Sequence, residues 1–286
     1  MLAPKPYCLQ LSRKLVVFAQ VVALGMLSSL GACGGGSSVT GGGGSGAPAL
    51  ITEIQHPATG GSTCGTFGGA TMTTCTLPVT ATGAGHFGIV TIAVLSQSTT
   101  PTHITSITDN MGGTWIQPST TSGSGCYFTS IGESVGTVAC AYNLTLAAGV
   151  TSITVDWDVF TNEGARLDFR EYSFTGTSVA FDAAGQFENS GTVTAPFAWA
   201  SPTGLTGTND VIVQVISPCC GTPTGISAPY GNLNATSFYG SADLLNSVST
   251  IAPTSGSTDP GPFVIGWIAI KEAATPMTQD IAATSQ

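Results

Sequence analysis

For much of its length the chain alternates apolar and polar positions with period two. The runs are short, rich in Val, Ile, Thr and aromatic residues, and closed off by Gly, Pro, Asn and Asp. That is the strand pattern, because successive side chains of an extended backbone point to opposite faces. It predicts strands over 87–96 (FGIVTIAVLS), 103–109 (HITSITD), 137–146 (TVACAYNLTL), 151–160 (TSITVDWDVF), 167–174 (LDFREYSF), 210–217 (DVIVQVIS) and 263–272 (FVIGWIAIKE). DNMGG (109–113) and AAGV (147–150) read as turns between them. No segment beyond residue 33 carries a helical stripe, so the expected fold is all-β, an Ig-like or jelly-roll two-sheet β-sandwich over 49–272. A Gly/Thr-rich insertion near 55–76 and a polar tail over 273–286 complete it. In LDFREYSF the apolar side changes partway, Leu167 and Phe169 lying on one face and Tyr172 and Phe174 on the other. A bulge, a strand crossing between sheets or an exposed Tyr172 would each produce that.

The N-terminal pattern is different. Lys5, Arg13 and Lys14 precede a mostly apolar run from Leu15 to Leu30, too short and too rich in small residues at its end for a membrane span, and Gly31 and Ala32 follow. Residues 1–32 are expected to be an export signal. The tetrad Leu30-Gly31-Ala32-Cys33 resembles the lipobox of bacterial lipoproteins, which implies that Cys33 becomes the first mature residue, carries the acyl chains and anchors the protein to a bilayer. Gly34, where an Asp would favour inner-membrane retention, makes the outer membrane the expected location. Residues 33–48 are then the lipidated cysteine and a Gly/Ser tether, a flexible coil with a reach of roughly 20 Å.

Charge removes several classes of function. Fifteen acidic side chains face only Arg166, Arg170 and Lys271 beyond the signal, a formal charge of −12, so there is no basic footprint for nucleic acid. Of eight cysteines, Cys8 leaves with the signal and Cys33 is the lipid site, which leaves six for an oxidising compartment. Six cysteines allow fifteen connectivities. Proximity along the chain suggests Cys64 with Cys75, Cys126 with Cys140, and a vicinal Cys219–Cys220, the last competing with separate partners for each.

The segments ITSITDNMGGTWIQ, CAYNLTLAAGVTSITVDW, LDFREYSFTGTSVAFDAAG, TNDVIVQVI and GWIAIKEA together resemble a β-sandwich domain common in secreted bacterial proteins. The likeness spans roughly residues 77–272 and rests on a Thr-Asp before a Gly-containing turn and a later Glu-Tyr-Ser, with Phe174 where glycine often follows. It implies a fold and no reaction.

Candidate chemistry is sparse. GESVG (132–136) fits the nucleophile-elbow pattern, but a strand pattern follows Ser134 and His56, His86 and His103 all lie upstream of it. A His103, Asp109, Ser134 order lacks the surroundings of a protease triad. Asp156 and Asp158 share a strand face opposite Trp157, with Glu163 beyond them. Such a pair suits the acid and base of glycoside hydrolysis, or oxygen ligation of Ca²⁺, against the plain reading of a solvated acidic edge. Among Trp115, Tyr127, Tyr142, Trp157 and Trp199, alternation assigns several to the core. Trp115 and Trp157, beside a loop and an acidic face, are the candidates for stacking on sugar rings. NLT (143–145) and NAT (234–236) match the glycosylation sequon, which a bacterial lipoprotein would not use. The expectation is therefore a lipid-anchored, non-catalytic envelope or surface protein that binds a polysaccharide or a protein partner, requires no cofactor and has Ca²⁺ as its candidate ion. A secreted hydrolase using acidic residues and a structural envelope component are the alternatives.

Overall fold

A computed structural model describes residues 50–56, 62–65, 72–95, 101–129, 136–161, 164–190, 193–218, 221–257 and 261–273, and these residues form strands, turns and loops without a helix. The chain is an all-β sandwich. Its central sheet runs β1 (Ile51–Gln55), β9 (Ala165–Phe174), β4 (Phe87–Val94), β7 (Thr137–Asn143) and β6 (Tyr127–Thr129), all antiparallel, with β2 (Ser62–Cys64) also on β9. A second sheet runs β10 (Val179–Asn189), β17 (Phe263–Glu272), β12 (Asp210–Pro218), β15 (Tyr239–Leu245) and β14 (Gly231–Thr236). Three-stranded sheets lie outside them: β3 (Met72–Pro78), β8 (Ser152–Thr161) and β5 (Ile104–Asp109), and β11 (Phe197–Ala198), β16 (Thr254–Ser257) and β13 (Pro223–Thr224).

Strand parity explains the layering. In β4, Phe87, Ile89 and Ala93 join the core facing the five-stranded sheet, whereas Val90, Ile92 and Val94 join the core facing β3-β8-β5. In β12, Val211, Val213 and Val215 face inward, while Ile212 and Ile216 pack outward under Phe197, Trp199 and Tyr230. Both principal sheets are thus covered on both faces, so their central strands are near-continuous apolar runs. Each Val or Ile so buried contributes about 1.5–3 kcal/mol.

The change of side within β9 has a different cause from those the sequence suggested. β9 pairs with β4 in unbroken register from Phe87↔Tyr172 to Val94↔Ala165, and Tyr172 is fully buried. One face of β9 gives Leu167 and Phe169 to one core; the other carries Asp168, Arg170 and Tyr172 into the interface between the principal sheets. The polar pair is buried because Arg170 is completely ligated there. Its Nε meets Asp168 at 3.2 Å, its Nη1 meets Asp243 at 3.1 Å and Glu53 at 3.4 Å, and its Nη2 donates to the Asn232 carbonyl at 2.8 Å and to Ser241 Oγ at 3.1 Å. Burial alone would lower the guanidinium pKa, but Asp168, Tyr172, Asp243 and Glu53 raise it well above normal, so the charge is permanent.

Among the described residues there are two disulfides, between the first two pairs that proximity along the chain suggested. Cys64–Cys75 ties β2 to β3 with Cα atoms 5.6 Å apart, and Cys126–Cys140 ties the approach to β6 to its hairpin partner β7 with Cα atoms 5.4 Å apart. Such bonds suit an oxidising compartment. Residues 1–49, with the expected signal, Cys33 and tether, lie outside the described residues, as do Cys219, Cys220 and the tail from residue 274.

Candidate functional site

At one end of the five-stranded sheet, β10 finishes beside the start of β17, with Asn189 opposite Phe263. The chain then turns back through residues 193–199 to form β11, and the space between is an open cleft of about 410 Å³. Its floor is aromatic. Phe263 and Phe197 are buried and lie 4.9 Å apart between ring centroids, and Trp199, also buried, is fixed by donating its indole N–H to Ser255 Oγ at 2.9 Å. Phe187 leans over Phe263 at 6.1 Å, with 42% of its surface open to solvent. Asn189 and Thr194 supply polar edges, Val193 and Ala198 close the wall, and none of the lining side chains is charged. The arrangement can hold a flat, weakly polar ligand against aromatic faces. It contains no charged acid, base or metal ligand.

The residues singled out in the sequence lie elsewhere. Trp157 is 2% exposed, because it shares a face of β8 with Ile153 and Val155, and that face packs on the central sheet. Its indole N–H donates to the Met72 carbonyl at 3.1 Å, so the expectation that it stacks on a ligand is corrected. Trp115 is half-buried, edge-on to Phe169 at 6.2 Å, and its indole N–H donates to Asp109 Oδ2 at 2.9 Å. Asp109 Oδ1 meanwhile accepts from the Met111 and Gly113 amides, both at 2.9 Å. The Thr-Asp before the glycine turn is therefore a clamp that closes the turn on Trp115. Tyr127, Tyr142 and Trp199 belong to the cores.

Asp156 and Asp158 do point away from the core on one face of β8, each with a protein partner. Asp156 accepts from Ser106 Oγ at 2.6 Å; Asp158, exposed, accepts from the His103 amide at 2.7 Å and meets its Nδ1 at 2.8 Å. Slight burial would raise the Asp158 pKa, but the two hydrogen bonds from His103 and its charge lower it. No group of three or more His, Cys, Asp or Glu side chains that could hold a metal occurs among the described residues. His103 and Asp109 are committed to different partners, and Ser134 and Glu163 lie outside the described residues.

The sequence reading missed Phe187, Phe197 and Phe263. Phe263 is 76 positions from Phe187, and only the pairing of β10 with β17 brings them together. The alternation of GQFEN with the nearby PFAWA was the one available hint. Compared with family models, characterised proteins and solved structures, the chain matches none.

Proposed function

We propose that the chain is an exported, lipid-anchored envelope protein whose β-sandwich binds an extracellular neutral polysaccharide without turning it over. The observation that carries the reading is the uncharged aromatic cleft with Phe187 open to solvent above the buried Phe263 and Phe197. Aromatic faces attract the apolar faces of sugar rings, and amide and hydroxyl groups at the rim suit sugar hydroxyls. The strong negative charge of the domain disfavours polyanions, which leaves neutral glycans as the class the cleft fits. The lipobox at Cys33 and the Gly/Ser tract behind it support display at the end of a flexible tether, at the outer membrane. The burial of Arg170 and the pairing of its donors within the protein support a structural role for that network.

The test is retention of the disulfide-intact protein on a panel of neutral and anionic polysaccharides, first with calcium and then with EDTA, scoring bound protein and released sugar. Retention on neutral polymers without release is the expected result. Loss in EDTA would add Ca²⁺ to the account, with Asp156 and Asp158 as the first ligands to substitute. Released sugar would replace binding by hydrolysis, and retention on no polysaccharide would leave a protein partner or an envelope-building role.

A further inference from the structure

The opposite end of β10 and β17, where β12 begins beside them, holds an arrangement of charge independent of the cleft. Lys271 in β17 lies between Ala180 of β10 and Asp210 of β12, and a register shift between Phe181 and Ala183 sets Asp182 out of the ladder beside them. Asp182, with its side chain buried, receives several donors. The Thr206 and Gly207 amides donate to it at 2.7 and 3.2 Å, the Thr206 hydroxyl donates as well, and the Lys271 ammonium lies 2.9 Å away. Lys271 also donates to Thr206 Oγ1 at 2.6 Å, so residues 206 and 207 are held down on the sheet through Asp182.

Asp210 is 0% exposed, neither carboxyl oxygen receives a hydrogen bond from the described residues, and the side chain it meets is the Asp182 carboxylate. The chain passes directly over it, for a Cβ at Gly207 would collide with its carboxyl group. A buried carboxylate without a donor, set against a second carboxylate, is strongly disfavoured unless a proton is added. One proton resolves the arrangement, since a protonated Asp210 becomes a donor and Asp182 is the acceptor beside it.

We propose that Asp210 is a neutral carboxylic acid in the folded domain up to neutral pH, that it donates its proton to Asp182, and that this shared proton latches segment 201–209 onto the sheet. The proton passes between no other molecules; it is taken from water on folding and returned on opening. Burial first, then the hydrogen bond to Asp182 and its charge, push the Asp210 carboxyl up to about 7, with Lys271 acting in the other direction. Burial would raise Asp182 too, but hydrogen bonds from Thr206, Lys271 and Gly207 outweigh it and hold Asp182 well below the usual carboxylate range. The charged groups facing Asp210 are Asp182 from β10 and Lys271 from β17. Segment 201–209 contributes only neutral residues, and the loop after β15 contributes the Ser247 amide to the Asp210 carbonyl at 3.2 Å. Folded Asp210 keeps a proton that an opened aspartate releases near 3.8, so the latch is complete below about pH 4 and is lost as the pH rises through about 7.

Two measurements on the full chain between pH 4.5 and 8.5 test this: the ¹³C carboxyl shift of Asp210, and amide exchange at Thr206 and Gly207 corrected for base catalysis. The second is repeated in Asp210→Asn, whose amide donates at every pH. The opening equilibrium at the two amides should rise at least about tenfold towards neutrality in the wild type and stay within about twofold in Asp210→Asn. The carboxyl group should titrate near neutrality. An Asp210 carboxyl ionised throughout the range, or equal pH dependence in the two proteins, would overturn the latch. The carboxyl shift is read on the wild type, so it decides the matter even where the variant fails to fold.

Discussion

Arg170 takes a permanent positive charge into the interface between the principal sheets, where Asp168, Asp243 and Glu53 converge on it. Burial, and then the charge of Asp243, raise the Glu53 pKa, which is the cost of placing three carboxylates around one cation. Arg170→Met would leave those carboxylates without their counter-charge and should cost about 3–5 kcal/mol of unfolding free energy, measured by urea denaturation. Gly266 acts by taking up no room. A Cβ there would stand 2.5 Å from Cys126 Sγ, so the glycine in β17 makes room for the Cys126–Cys140 bridge of the facing sheet. Gly266→Ala should therefore destabilise by about 1–3 kcal/mol through overpacking. The effect should shrink when the bridge is replaced by two alanines, because the bulky sulfur pair is then gone.

Among the elements, legibility in the sequence tracked how each strand is buried. β4, β7, β8, β12 and β17 lie in or against the cores, and their Val, Ile and aromatic alternation announced them. β10 was missed because AFDAAGQFEN is small and polar, half-exposed along most of its length, and lies at the edge of its sheet. β15 was missed because Ser241 and Asp243 are buried by the needs of Arg170 on another strand, a reason that no local pattern contains. Trp157 shows the converse. Its shared face with Ile153 and Val155 was readable, and that face is the core. The cleft could not be read at all, since it is made by the register of β10 on β17. The Cys126–Cys140 bridge closes a loop of 14 residues, and replacing both cysteines by alanine should cost about 3 kcal/mol by the chain-entropy estimate. Thermal unfolding of the variant beside the wild type checks this, and reduction of the wild type, which opens Cys64–Cys75 as well, should lower its midpoint further than the double substitution does.

At the scale of the whole molecule, an acidic, disulfide-bonded sandwich carries an uncharged aromatic cleft among its described residues, and neutral polysaccharide is the ligand class proposed for it. Phe187 carries that claim, since it is the exposed ring of the cleft and its loss leaves the buried aromatic floor in place. The most direct measurement is the affinity of Phe187→Ala, relative to wild type, for whichever neutral polysaccharide retains the protein, with the unfolding midpoints of both recorded. The proposal predicts at least about a tenfold loss of affinity, or about 1.4 kcal/mol of binding free energy, at an unchanged midpoint. Equal affinity in the two proteins would contradict it and place the ligand on another face of the sandwich.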